Sequence, residues 1–277
     1  MREPELGIYS RADLIARGLT DKEIRRRCTS GRLRQIARGW YATADADAAA
    51  VAALAKGGRL TCVSAARVRG LWVPDVRETH AYARRGHELR SMVPHGPYID
   101  AWPEPDPVAT LPLALTHAAR CLSSEYTAVL VESALAKEAL TPAAVREILC
   151  GLPGRTRRDL GVISRRSQSG SETRLARWFR SRGVRVQQQV QIPGVGWVDM
   201  LVGERWIIEA DSAAHHTSRR DYENDRARDL MADRLGYVTT RLSFVQIWVL
   251  WEQTTASLAS RLATGEHRRL PMAGRAG

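Results

Sequence analysis

Residues 197–216 read WVDMLVGERWIIEADSAAHH, and the reading of this stretch decides the fold of the C-terminal half. Its two apolar runs predict strands over 196–202 and 205–211, joined as a hairpin. Glu209 and Asp211 stand two residues apart, so they project from the same face of one strand. Asp199 lies on the adjacent strand, where it can converge on them. Three carboxylates placed together repel one another, and at the end of an otherwise apolar strand (Trp206, Ile207, Ile208) the cluster is costly unless a cation neutralises it. All-oxygen ligation by Asp199, Glu209 and Asp211 suits Mg²⁺ or Mn²⁺. A metal held there could orient a water and stabilise the charge that develops on a scissile phosphate, as phosphodiester hydrolysis requires. His215 and His216 follow at once and could act as a base, a leaving-group donor or a further ligand. The competing reading is a set of exposed strand-end acids paired with nearby arginines.

Working outward, the spacing predicts a helix over 171–182, a strand over 184–192, the two strands above, a helix over 219–235, a strand over 237–242 and a helix over 244–262. The order is α-β-β-β-α-β, closed by a final helix. Glu172 sits in the first turn of the first helix, while Leu175, Trp178 and Phe179 recur at helical spacing and should pack on the sheet. Trp248, Leu250, Trp251, Leu258 and Leu262 read as helical core. On the 219–235 helix, Asp221, Asp225, Asp229 and Asp233 recur every four residues between Arg219, Arg220, Arg226, Arg228 and Arg234, a pattern best read as a solvated, salt-bridged face. Arg226, Arg228 and Arg241 remain candidates for phosphate contacts or for orienting the acids.

The other end of the chain carries a second informative stretch. SRADLIARG, LTDKEIRRRCTSG and RLRQIARGWYAT predict a helix, a second helix and a hairpin turning at Ala37-Arg38-Gly39. Ser10 caps the first helix, which Gly18 ends. Thr20 and Glu23 form a capping box for the second, which stops at Gly31. Ile15, Leu19, Ile24 and Cys28 should face inwards, with Leu33, Ile36, Trp40 and Tyr41 as core. The second helix then presents Lys22, Arg25, Arg26 and Arg27, and the hairpin presents Arg32, Arg34 and Arg38. Two helices and a basic hairpin suggest a winged helix-turn-helix, whose second helix enters the major groove while the wing lies along phosphates.

Between these ends, helices are expected near 46–56, over 60–72 and over 112–121, 125–137 and 142–150, with short extended pieces around 79–102. Residues 154–172 read as a polar, Arg-rich junction. His80, His87, His95 and His117 fall at no metal-ligand spacing and read as surface or satisfied core histidines. Cys28, Cys62, Cys121 and Cys150 form no CxxC-type pair, so neither a zinc module nor a redox motif is expected.

Composition bounds the partners. The chain has 277 residues, 44% hydrophobic and 26% charged, which is the profile of a folded chain of about two domains. The net charge is +12, and residues 1–41 alone hold ten Lys and Arg against five Asp and Glu. Polyanions are the expected partners, although a GC-rich genome would also enrich arginine. With no apolar stretch behind the N-terminus and no membrane span, the expected location is cytoplasmic.

The N-terminal stretch resembles the AbiEi-like family of abortive-infection type IV antitoxins, on LTDKEIRR and GRLRQIARGWY, and this implies a winged-helix DNA binder that represses transcription. The C-terminal stretch resembles the PD-(D/E)XK nuclease superfamily, and within it the very-short-patch-repair-like endonucleases. That match rests on SGSETRLARWF, QVQIPGVGWVD, IIEADSAAHH, DRARDLMADRLGY and Arg241 of VTTR. It implies Asp199 and Glu209 as principal metal ligands and Glu172 as an accessory acid, with Asp211 in the place of the superfamily's lysine. Ser212 stands where a glycine usually follows.

The expected chain is thus an α/β and α+β multidomain protein. It has a winged helix-turn-helix over 1–45, a connecting α/β antitoxin-like region over 46–165, a nuclease-like α-β-β-β-α-β core over 166–264 and a disordered tail over 265–277. The expected function is a DNA-binding endonuclease or nickase that uses Mg²⁺ or Mn²⁺. The alternative is a non-catalytic antitoxin-type transcriptional regulator with a degenerate nuclease fold, and RNA stays open as a substrate. Double-stranded DNA is the expected partner, followed by a cognate toxin or a second copy of the chain, with no membrane.

Overall fold

The computed structural model describes residues 6–85, 88–99, 106–211 and 219–272. It is a mixed α/β chain with twelve α-helices and three small sheets among the described residues, divided into two units, Met1–Gly161 and Val162–Gly277. No helix among the described residues is long and apolar enough to cross a membrane.

The first unit opens with β1 (Ile8–Ser10), α1 (Arg11–Ala16), α2 (Asp21–Thr29), β2 (Arg34–Ala37) and β3 (Trp40–Ala42). Both helices begin in a reciprocal capping box. The Asp13 amide donates to Ser10 Oγ at 3.1 Å while the Ser10 amide donates to the Asp13 carboxylate at 2.7 Å, and Thr20 and Glu23 repeat the arrangement. Gly39, at φ +77°, makes the turn between β2 and β3. The hairpin gains a third strand that the sequence pattern did not announce, because β1 pairs antiparallel with β3 to give the order β1-β3-β2. One core assignment is corrected. Helix α1 buries Leu14, and Ile15 is 41% exposed. The cap sets the phase of a helix little longer than one turn, and residue 14 is then the one that meets Ile24 and Leu33.

This module does not stand apart from the region after it: Ile8 and Ala42 share a core with Ala50, Ala53, Leu60 and Tyr82. Next come α3 (Ala48–Ala55), β4 (Gly58–Leu60), α4 (Cys62–Val68), β5 (His80–Arg84) and β6 (Val93–Ile99), then α5 (Leu111–Cys121), α6 (Ser124–Ala136) and α7 (Pro142–Cys150). Strand β5 is central, antiparallel to β4 and parallel to β6. The stretch read as a polar junction begins instead with a helix, α8 (Gly154–Leu160), started by Pro153 and anchored by the buried Leu160.

The second unit runs α9 (Gly170–Arg180), β7 (Val186–Ile192), β8 (Gly196–Val202), β9 (Trp206–Asp211), α10 (Arg219–Arg234), β10 (Val238–Ser243), α11 (Phe244–Trp248) and α12 (Trp251–Ala263). The sheet order is β10-β9-β8-β7, with β10 parallel to β9 and the other pairs antiparallel. Leu175, Trp178 and Phe179 of α9 pack with Met200, Trp206 and Ile208, while Ile207 and Leu201 pack with Ala232 of α10.

Two further expectations are corrected here. The helix expected over 244–262 breaks between α11 and α12. The Arg174 guanidinium lies 4.9 Å from the Trp248 ring and 4.3 Å from the Trp251 ring, and its Nη1 donates to the Ile247 carbonyl at 2.8 Å. The break falls at Val249 and Leu250, and Leu250, expected in the core, is left 40% exposed there. Residues 265–272, in the tail expected to be disordered, are structured. A short 3-10 turn, Glu266–Arg268, buries His267, and the Glu204 amide donates to the His267 carbonyl at 2.8 Å. The turn packs so closely that a side chain at Gly203 (φ +64°) would stand 2.3 Å from that carbonyl.

Candidate functional site

Two of the three carboxylates expected to form the site, Asp199 and Glu209, come together where β8 and β9 part. The ladder between them ends at the pair Met200 and Ile208, one step before Asp199 and Glu209 would face each other. Beyond that point the acidic side chains take over the backbone donors. The Ala210 amide donates to Asp199 Oδ2 at 2.8 Å and the Asp199 amide to Glu209 Oε2 at 3.4 Å, so each acid ties its own strand to the other. The neighbouring strand is also irregular. Between the pairs Gln188–Met200 and Val190–Val198, Gln189 adopts φ +50°, a backbone conformation that non-glycine residues seldom take.

Gln189 also joins α9 to the site. Its side-chain amide donates to Glu172 Oε2 at 3.0 Å, and the Gln168 amide donates to the same oxygen at 2.9 Å. Glu172 is held at the start of α9 by Ser169, whose hydroxyl caps the helix at the Glu172 amide. Burial, followed by the proximity of Asp199, pushes the Glu172 carboxyl up to about 7. Glu209 is pushed up to about 8, again by burial first and Asp199 second, against the opposing pull of Arg228.

Arginines frame the other side. Arg228 on α10 places Nη2 3.7 Å from Glu209 Oε1 and donates from Nε to the Val195 carbonyl at 3.0 Å. Arg241 is paired with Glu209 in the parallel register of β10 and β9, and its guanidinium reaches Asp229 at 2.8 Å and Asp211 at 3.5 Å. Arg226 is more exposed and lies 3.9 Å from Asp229. Asp225 pairs with Arg228 at 3.6 Å, so this stretch of α10 is salt-bridged as expected. His215 and His216 lie outside the described residues, as do Ser212 and the side chain of Asp221.

The geometry ties Asp199 to Glu209, with Glu172 near enough for the Asp199 charge to raise it, and turns Asp211 towards Arg241, so the expected convergence of Asp199, Glu209 and Asp211 on one ion is corrected. No family model and no curated protein matches this chain. The expected DNA-contacting side chains, Lys22, Arg25, Arg26, Arg27, Arg32, Arg34 and Arg38, are all exposed on α2, on β2 and in the turns beside it.

A second cluster was missed by sequence reasoning. Among the described residues, the one group of three or more potential ligands close enough to share a metal ion is Cys62, His80, His95 and Cys121, with ligand atoms all within 4.8 Å of one another. The reading of these histidines and cysteines as scattered and unrelated to metal is corrected. No local spacing betrays the group, because its members come from the start of α4, the start of β5, the body of β6 and the end of α5. His87 lies outside the described residues. His117 packs beside the group, its ring stacked on His95 at 5.2 Å and its Nδ1 2.7 Å from Thr61 Oγ1. Burial holds His95 down at about 4 and lowers His80, so both rings are neutral near pH 7.

Proposed function

We propose that the chain is a divalent-metal-dependent phosphodiesterase that cuts double-stranded DNA. In this reading a winged helix-turn-helix at the N-terminus is joined to a very-short-patch-repair-like nuclease domain of the PD-(D/E)XK superfamily. The observation that carries it is the convergence of Asp199 and Glu209 at the parting of β8 and β9, beside the buried Glu172. The buried Glu172 and the mostly buried Glu209, both pushed towards neutral pH beside Asp199, are costly when ionised, and a hard cation with oxygen ligands removes that cost. Asp199 and Glu209 would hold Mg²⁺ or Mn²⁺, which supplies Lewis-acid stabilisation of the phosphate charge and an acidified water.

The chain's own residues do the rest. Gln189 and the Gln168 amide fix the Glu172 carboxyl, which burial poises to take or give a proton near neutral pH. Arg228 and Arg241 orient the acids and add positive charge for a phosphate. Exposed cations on α2 and on the β2–β3 hairpin supply backbone and major-groove contacts. The pairing of Asp211 with Arg241 and of Glu209 with Arg228 favours one competing reading, a non-catalytic antitoxin-type transcriptional regulator. In that case arginines replace the cation.

The test is conversion of supercoiled plasmid to nicked or linear DNA with Mg²⁺ or Mn²⁺, using wild type, Asp199→Asn and Glu209→Gln. Metal-dependent cutting by wild type alone supports the nuclease. Tight duplex binding that is indifferent to metal, with no cutting of plasmid, single-stranded DNA or RNA, overturns it in favour of the regulator.

A further inference from the structure

We propose that Cys62, His80, His95 and Cys121 form a closed, tetrahedral site for Zn²⁺ in the first unit, separate from the carboxylate site. The donor set selects the ion. Two thiolate sulfurs and two imidazole nitrogens suit Zn²⁺ and discriminate against Mg²⁺ and Mn²⁺, which prefer oxygen. With Zn–S near 2.3 Å and Zn–N near 2.0–2.1 Å, a tetrahedron has edges of about 3.3 Å between nitrogens and about 3.6 Å between nitrogen and sulfur. The structure has 3.0 Å between His80 Nδ1 and His95 Nε2, and 3.7 Å between His80 Nδ1 and Cys121 Sγ. Each is within a few tenths of an ångström of the edge that a shared ion requires.

Hydrogen bonding alone leaves this arrangement unexplained. His80 Nδ1 carries either one proton or one lone pair, yet His95 Nε2 and Cys121 Sγ both converge on it. A cation at the centre uses one lone pair from each of the four groups, and the two thiol protons pass to solvent on binding. The backbone is consistent with this. Cys62 holds φ +52° at the start of α4, an uncommon conformation for a residue with a Cβ. The Thr61 amide donates to the His80 carbonyl at 3.0 Å and the His80 amide to Ser64 Oγ at 2.9 Å, so α4 and β5 are locked together beside the ligands. Four protein ligands leave no open position, so the ion's role is structural: it clips α4, β5, β6 and α5 together. His117 is a packing neighbour: its ring stacks on His95, and it is not one of the four groups whose ligand atoms lie within 4.8 Å of one another.

The experiment is metal analysis of the full chain purified without chelators, combined with Co²⁺ substitution and thiol alkylation. The expected results are about one zinc per chain, thiolate-to-cobalt charge-transfer bands with tetrahedral visible bands, and protection of Cys62 and Cys121 from maleimide by Zn²⁺. Cys28 and Cys150 serve as unprotected internal controls. Cys121→Ser should lose about half the charge-transfer intensity, and His117→Ala should keep the metal. The alkylation readout uses the wild-type chain, so a variant that fails to fold does not blunt the test. Zinc in fewer than about one chain in ten with no thiolate bands to cobalt, or a Cys62–Cys121 disulfide in protein kept under reductant, overturns the proposal.

Discussion

The Ala210 amide donates to Asp199 Oδ2 at 2.8 Å, so the acid proposed to hold a metal also replaces a missing rung of the β8–β9 ladder. The two roles can be separated by chemistry. Asn keeps an acceptor oxygen for the amide but loses the negative charge. Asp199→Asn should therefore melt close to wild type while metal-dependent cleavage falls by at least about a hundredfold. Asp199→Ala should lose cleavage and also about 1–3 kcal/mol of stability, since the amide is left without its partner. Paired plasmid-nicking and thermal-melting measurements check both. Equal stability loss in the two variants would refute the separation.

Glu209 links stability to pH in the metal-free protein. Its carboxyl is held up to about 8 in the folded chain, against an ordinary value of 4.5 when unfolded. The group favours folding fully below its unfolded value, and that contribution is lost as pH rises through about 8. In EDTA the unfolding free energy should fall between pH 5 and pH 9, at up to about 1.4 kcal/mol per pH unit, and the denaturation midpoint with it. Glu209→Gln should flatten that fall, and Mg²⁺ or Mn²⁺ should restore stability at the alkaline end. A midpoint that rises with pH in EDTA would contradict the assignment.

The N-terminal helix offers a sharp contrast between neighbours. Leu14 is 3% exposed and packs with Ile24 and Leu33, whereas Ile15 is 41% exposed. Leu14→Ala should cost about 2–4 kcal/mol. Ile15→Ala should stay within about 0.5 kcal/mol of wild type. Chemical denaturation of the two variants decides the matter, and a larger loss at Ile15 would mean that α1 is rotated from the described phase.

Duplex binding should weaken strongly with salt. Replacing Arg25, Arg26 and Arg27 by Ala removes three exposed cations from α2 without touching its cap or the buried Ile24. The slope of log affinity against log salt should drop by about 0.9 for each phosphate that these arginines neutralise in the wild-type complex. Fluorescence anisotropy at several salt concentrations measures it. An unchanged slope would place the duplex on another surface.

What the sequence determined by itself is local. Ser10, Thr20 and Glu23 cap helices by reaching one turn along the chain, Gly39 turns a hairpin between adjacent strands, and the two apolar runs within 196–211 mark strands. The acids Asp199 and Glu209 were legible for the same reason, since strand period and hairpin pairing are short-range rules. Tertiary structure decided whatever depends on a partner far along the chain. Arg174 bonds the Ile247 carbonyl near the end of a helix more than seventy residues later, the turn at Glu266–Arg268 seats on Gly203, and Gln189 reaches back to Glu172. The cluster of Cys62, His80, His95 and Cys121 is the clearest case. Its four members come from four elements that meet only when the β4-β5-β6 sheet and the helices beside it have packed, and packing leaves no spacing in the sequence to reveal them.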